Sequence, residues 1–319
     1  MFSLLMFDRI VLKTASLFLF ICSISVTNGF ATGDTIKIVT GYGPEDLVID
    51  TLNERLLISC DNRRNNAMQG EIWMYDIQKG TARKLLFETP LNFDFHPHGI
   101  FLLSGNGKPY LYVINHIYKD QSEIDRFLVL KDKLKLDKRY TDITGKPNDL
   151  FVLSKEEFYY TDYKMFGGSI VHFANGTETK VIKNLKMPNG IFIENDTIYF
   201  TATLNGKLYK ASLNDFKKQT VCKLKGGDNI MQAPDGSFLI ASHQKFGKFM
   251  KHAKDPAKIS PSLVYKVDPE TGNKEVIFKD DGNKIPAVST AVLFKNTLYF
   301  GQVFDGFILA IKNFYPNKN

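Results

Sequence analysis

The sequence predicts an all-β fold, a six-bladed β-propeller with four antiparallel strands per blade. Three observations lead there. Short apolar runs of strand composition dominate the 319 residues, and no long stretch has helical period. One arrangement, turn residues with polar side chains followed by an apolar strand start, recurs six times at intervals of roughly 40–60 residues, the range for propeller blades. Each recurrence is followed by two further apolar runs and, in most units, by a weaker fourth.

The six starts are Pro44-Glu45-Asp46-Leu47, Pro97-His98-Gly99-Ile100, Asn148-Asp149-Leu150, Pro188-Asn189-Gly190-Ile191, Asp228-Asn229-Ile230 and Ser289-Thr290-Ala291-Val292. The second runs begin at Leu56, Leu111, Phe158, Ile198, Phe238 and Leu298. The third begin at Gly70, Arg126, Ser169, Gly206, Leu263 and Gly306. Fourth runs include Lys84-Leu85-Leu86-Phe87 and Lys180-Val181-Ile182. Unit six has no obvious fourth run, and Thr35-Ile36-Lys37-Ile38-Val39 has no unit of its own. That N-terminal strand is expected to close the last blade, because ring closure protects sheet edges.

Apolar residues make up 44% of the chain, enough for a large core. The net charge is +7 and the pI about 9.0, but the basic residues are spread along the chain without a nucleic-acid motif. Residues 1–29 read as a secretory signal: Arg9 and Lys13 precede a short apolar run through Cys22, then small residues. The propeller occupies 30–319. A secreted or periplasmic protein is expected, or a membrane-anchored one if the segment is not cleaved. Without Cys22, the cysteines left are Cys60 and Cys222, and spacing does not decide whether they pair.

In an antiparallel pair, the start of strand one and the end of strand two share a face. The six starts therefore share a face with His116 and His243. Glu45, Asn148, Asn189, Asp228 and Asn229 converge there, two carboxylates and three amides, the donor type of a hard cation such as Ca²⁺. Neither Cys60 nor Cys222 belongs to the set, which argues against structural zinc. Asp46 and Asp149 follow Glu45 and Asn148 directly. Side chains alternate along an extended chain, so these two can hold a second, deeper ion. His98 and His116 lie on adjacent strands, within reach of each other. A neutral His takes a proton from water at neutral pH, and a second orients it or relays the proton. There is no Gly-x-Ser-x-Gly elbow, phosphate loop or dinucleotide fingerprint. The loop 244–261 carries five lysines with Phe246, Phe249 and Met250, and reads as a lid or a membrane-facing patch.

In order and combination, these starts, together with Val113-Ile114-Asn115-His116 and Ser242-His243, resemble the paraoxonase (arylesterase/lactonase) family, within the gluconolactonase-like calcium-dependent propellers. The resemblance covers nearly all of the mature chain. It implies two Ca²⁺ ions in a central tunnel. The catalytic ion would be held by Glu45, Asn148, Asn189, Asp228 and Asn229. The structural ion would be held by Asp46, Asp149 and the backbone carbonyl of Ile100. It further implies that His98 and His116 form a catalytic dyad, that His243 is a further active-site histidine, and that Val303 and Phe304 line the substrate pocket. Tyr163 is placed with them. The family's vertebrate members carry a long lid after the strand corresponding to 158–162; here only 163–168 intervenes, and the loop 244–261 is the candidate replacement. The implied activity is hydrolysis of a small lactone or aryl ester. A single-metal sugar lactonase and a secreted Ca²⁺-stabilised binding propeller are the alternatives, and beyond substrate the sequence leaves room for contact with a membrane through the N-terminal segment or the loop 244–261.

Overall fold

The computed structural model describes residues 33–65, 67–105, 107–118 and 121–314. The predicted signal segment 1–29 lies outside them. The strands form six small sheets, each antiparallel throughout its four main strands. Their inner strands are Pro44–Asp50, Pro97–Leu103, Pro147–Ser154, Pro188–Glu194, Gly227–Gln232 and Val288–Phe294. Each contacts the inner strand of the next blade, and Pro44–Asp50 contacts Val288–Phe294, so the ring is closed. This is a six-bladed β-propeller.

Ring closure follows the sequence expectation. Thr35–Val39 pairs antiparallel with Phe307–Ile311 and supplies the outer strand of blade 6. That blade is therefore made from both ends of the propeller, with no free edge on Phe307–Ile311.

The core lies between blades. Side chains on facing sheet surfaces interleave: Phe158 stacks on Phe173 with centroids 4.4 Å apart, and Phe95 meets Phe127 edge-on at 5.9 Å. Tyr112, Tyr160, Phe158, Phe200, Phe238 and Phe300 are fully buried. Each such side chain contributes roughly 1.5–3 kcal/mol of burial. The inner strands enclose a channel cavity of about 170 Å³, lined by Asp46, Asp149 and Asn229 and by apolar side chains such as Ile100, Phe101 and Phe151.

Two features differ from the sequence reading. Lys84-Leu85-Leu86-Phe87 is not one strand. Thr81–Lys84 ends blade 1, while Leu86–Phe87 runs parallel to Lys133 and Leu134 at the edge of blade 2. Aromatic packing accounts for the transfer, since Phe87 sits 5.3 Å from Phe95 and 5.4 Å from Phe127. The loop 244–261 contains a helix, α1, at Phe246–Lys254. It is amphipathic, with His252 buried and Lys248, Lys251 and Lys254 exposed. No helix of the described residues is long and apolar enough to cross a membrane. Cys60 and Cys222 are both free.

Candidate metal centre and histidine cluster

Every inner strand breaks its pairing register at its start. The shifts fall between Pro44 and Asp46, Pro97 and Ile100, Pro147 and Leu150, Pro188 and Ile191, Gly227 and Ile230, and Val288 and Thr290. A bulge of this kind leaves residues out of the ladder and re-aims their side chains. Glu45, His98, Asn148, Asp149, Asn189, Asp228 and Asn229 occupy these bulges, while Asp46 and Ile100 resume the ladder just after theirs. Strict alternation is therefore not what separates Glu45 from Asp46, or Asn148 from Asp149.

A bulge leaves backbone N–H groups without ladder partners, and hydroxyls on the second strands take them up. Ser59 Oγ accepts the Asp46 N–H at 3.2 Å, Thr161 Oγ1 accepts that of Asp149 at 3.1 Å, and Thr201 Oγ1 accepts that of Gly190 at 2.8 Å. All three hydroxyl residues are completely buried. Between blades the starts pack backbone to backbone. A Cβ on Gly99 would lie 2.4 Å from the Asn148 carbonyl oxygen, and one on Gly190 would lie 2.5 Å from that of Asp228.

Glu45, Asn148, Asn189, Asp228 and Asn229 are all buried. Asn229 Nδ2 donates to Glu45 Oε1 at 3.3 Å, and Ser289 Oγ donates to the Glu45 carbonyl at 2.5 Å. The remaining polar atoms decide what this set suits. Glu45 Oε2, Asn148 Oδ1, Asn189 Oδ1 and Asn229 Oδ1 are buried and have no hydrogen-bond partner. Leaving a buried acceptor unsatisfied costs about 1–3 kcal/mol. Four such oxygens, converging from four blades, fit a hard cation that takes oxygen ligands only. Among the described residues no group of three or more His, Cys, Asp or Glu is arranged to hold a metal.

Asp46 and Asp149 form a second set, on the channel cavity. Each carboxylate ties two backbone amides together: Asp46 accepts from Leu47 at 2.9 Å and Ile100 at 2.8 Å, and Asp149 from Leu150 at 2.8 Å and Ile191 at 2.9 Å. Burial pushes the Asp46 carboxyl well above its ordinary range, and the charge of Asp149 adds to this. Burial likewise raises Asp149 to about 8, and Glu45 to about 7. Crowded, desolvated carboxylates are what a bound divalent cation relieves.

His98 and His116 are neighbours. The His98 and His116 rings meet edge to face with centroids 4.9 Å apart. No hydrogen bond joins them; the partners lie elsewhere. His98 Nδ1 is 2.7 Å from Arg63 Nη2 and its Nε2 is 3.0 Å from Asn148 Nδ2. His116 Nδ1 is 2.7 Å from Ser122 Oγ. Burial, then the positive charge of Arg63, holds His98 well below the usual imidazole range and His116 at about 3. Both are neutral imidazoles at physiological pH. His243 Nε2 is 2.6 Å from Asp228 Oδ2, and its ring lies 4.4 Å from Phe249.

An arylesterase family profile matches residues 63–309. The chain belongs to the arylesterase family. No curated protein matches it. Among solved structures, a putative gluconolactonase superposes with TM-score 0.60 at 13% identity, covering 88% of this chain and 92% of that one. A gluconolactonase from Xanthomonas campestris gives 0.60 at 14%, covering 88% and 89%, and a luciferin-regenerating enzyme 0.60 at 10%, covering 88% and 95%. These likenesses concern the fold.

In this arylesterase-family chain, Val303 and Phe304, expected from the sequence to line a substrate pocket, pack against α1. Val303 and Phe304 form an apolar cluster with Ala287, Phe249 and Ala253. Phe249 links the cluster to His243, with its ring 5.3 Å from Phe304. Burial, and then the charges of Asp228 and Glu45, raise the Tyr163 hydroxyl above its ordinary range. Two arginines escaped the sequence reading. Arg64 clamps α1 by donating to Asp305 Oδ1 at 2.8 Å and to the His252 carbonyl at 2.9 Å, with its guanidinium 4.9 Å above Phe304. Arg63 reaches His98 and lies 3.9 Å from Glu45 Oε2. Both sit in an irregular loop, where a basic residue looks like a solvated one.

Proposed function

We propose that the protein is a Ca²⁺-dependent hydrolase of lactones or aryl esters. Family membership supports a hydrolase acting on lactones or esters. The observation that carries the metal reading is the set of four buried, unpartnered oxygens at the blade starts. Glu45, Asn148, Asn189, Asp228 and Asn229 would hold a catalytic ion, and Asp46, Asp149 and the Ile100 carbonyl a structural one. A bound Ca²⁺ supplies Lewis-acid polarisation of the substrate carbonyl and stabilises charge developing on its oxygen.

The chain's own residues do the rest. The neutral His98–His116 pair takes a proton from the attacking water and returns one to the leaving oxygen. His243, held by Asp228, orients substrate beside the ion site. Val303, Phe304 and Phe249 offer an apolar wall to the substrate's acyl or aryl part, with Tyr163 on the same site. Helix α1, pinned by Arg64, covers that wall and excludes water from it.

The test is hydrolysis of long-acyl lactones and phenyl acetate, assayed with Ca²⁺, after dialysis against EDTA, and after Ca²⁺ is restored. Activity should vanish on chelation and return. A folded, Ca²⁺-loaded protein inactive on the whole panel would sink the proposal.

A further inference from the structure

Helix α1 is tied to the propeller through a buried histidine. His252, in its last turn, is fully buried, while Lys248, Lys251 and Lys254 of the same helix are exposed. The His252 ring meets Phe304 edge-on with centroids 5.4 Å apart. Its Nε2 lies 3.2 Å from Arg64 Nη2, and the same Nη2 donates to the His252 carbonyl at 2.9 Å.

Arginine stays protonated in proteins and never accepts a hydrogen bond. The Nε2 that receives Arg64 therefore carries a lone pair, and the ring is neutral with its proton on Nδ1. A second proton would go onto Nε2. It would set one N–H against another and place an imidazolium beside a guanidinium, out of reach of water.

The charged groups facing the ring come from three places. The blade 1 loop gives Arg64. Blade 6 gives Asp305, whose Oδ2 is 4.0 Å from Nε2 but whose Oδ1 already accepts from Arg64 Nη1 at 2.8 Å. The end of α1 and the turn after it give Asp255 and the Lys258 backbone, which favour the charged ring. Burial holds the imidazole below its ordinary range, with Asp305 acting against it and Arg64 with it.

Little else ties the helix down. Within α1 only Phe249, His252 and Ala253 are buried or half-buried, and Phe246 and Met250 are exposed. Phe249 packs on His243 at 4.4 Å and on Phe304 at 5.3 Å. An element with so few buried contacts opens at low cost.

We propose that the Arg64–His252 contact is an acid-released latch: it holds α1 on the Val303–Phe304 wall while His252 is neutral, and protonation of His252 frees the helix and uncovers His243 and that wall. The latch governs access to the site and stands whether or not the substrate is a lactone or ester. In the open helix His252 faces water and titrates near its ordinary value, about 6.5. In the closed helix it is held lower. The open form therefore binds more protons in mild acid, and opening grows by up to about 10-fold per pH unit below about 6.5 until the closed ring itself protonates.

Hydrogen exchange over residues 246–254 of the Ca²⁺-loaded protein, corrected for the pH dependence of the exchange chemistry, reads this opening. From pH 7.5 to 5.5 it should rise several-fold, up to about 10-fold, while the blade 3 strand Glu157–Asp162 keeps its protection. In His252→Gln the amide oxygen can take the Arg64 bond but cannot be protonated, so the same pH change should alter α1 by less than about 2-fold. The wild-type ring gives a second readout: its NMR titration, assigned through the contact with Phe304, should fall below about 6.5. If His252→Gln already loosens α1 at pH 7.5, this titration decides alone. An opening of α1 that ignores pH would overturn the latch. So would a rise shared by Glu157–Asp162, a His252→Gln variant as acid-sensitive as the wild type, or a ring that titrates at about 6.5 or above.

Discussion

The Asp149 carboxylate of blade 3 accepts the Ile191 N–H of blade 4 at 2.9 Å, and so stitches two blades together at the floor of the proposed ion site. Asp46 does the same between blades 1 and 2, through Ile100 at 2.8 Å. Asp149→Ala would leave two buried amides, Leu150 and Ile191, without partners. It should cost about 2–5 kcal/mol and abolish one Ca²⁺ site. Chemical denaturation with and without Ca²⁺ checks both: the mutant should be less stable and should gain less from the ion.

Stability without metal should depend on pH in a stated direction. Burial raises Glu45 to about 7 and Asp149 to about 8. Unfolded carboxylates titrate near 4, so between there and about pH 8 the folded chain holds more protons than the unfolded one. Stability contributed by these groups is then full below the unfolded pKa and is lost as pH rises. His98 and His116 act oppositely, since their lowered values make stability fall as pH drops below about 6.5, the unfolded value. That contribution fades within about one pH unit above the unfolded value, and beyond it the carboxylates act alone. The melting temperature of EDTA-treated protein should therefore fall from pH 6.5 to 8, and saturating Ca²⁺ should flatten the slope. A metal-free slope that rises would contradict this.

The second-strand hydroxyls give a nearly isosteric test. Thr161→Val removes the acceptor for the Asp149 N–H and little else from the volume of the site. It should destabilise by about 1–3 kcal/mol and weaken Ca²⁺ binding, because Asp149 is no longer fixed. An unchanged denaturation midpoint would show that the bulge does not depend on the hydroxyl.

Helix α1 should loosen when its clamp is cut. Arg64→Ala loses the bonds to Asp305 and to the His252 carbonyl and leaves Phe304 without its guanidinium neighbour. Hydrogen exchange over residues 246–254 should speed up, and KM for apolar substrates should rise more than kcat falls. Exchange as slow as in the wild type would place the anchor of α1 elsewhere, on Phe249 and Phe304.

Much of this site is legible in the amino-acid sequence because a propeller repeats. Glu45, Asn148, Asn189, Asp228 and Asn229 each precede an apolar strand start, and in a closed ring equivalent positions must meet. The same logic places His98 and His116 together and lets Thr35–Val39 close blade 6. What stays hidden is set by hydrogen bonding. A bulge is a register shift between strands, and no residue type announces it, so the aim of Asp46 and Asp149 and the service of Ser59, Thr161 and Thr201 emerge only with the pairing. Helix α1 spans nine residues, too few for its period to stand out among phenylalanines and lysines. Arg63 lies in a loop, and its value is a distance to His98 that no spacing encodes.

The account's central claim is that the unpartnered oxygens of Glu45, Asn148, Asn189 and Asn229 hold a Ca²⁺ ion. Direct Ca²⁺ titration by calorimetry, on EDTA-stripped wild type and on Asn229→Ala, tests it. The account predicts two ions per wild-type chain, with one site lost or weakened at least 10-fold in Asn229→Ala while the protein stays folded. A wild-type chain that binds no Ca²⁺, or an Asn229→Ala variant that binds both ions unchanged, would contradict it.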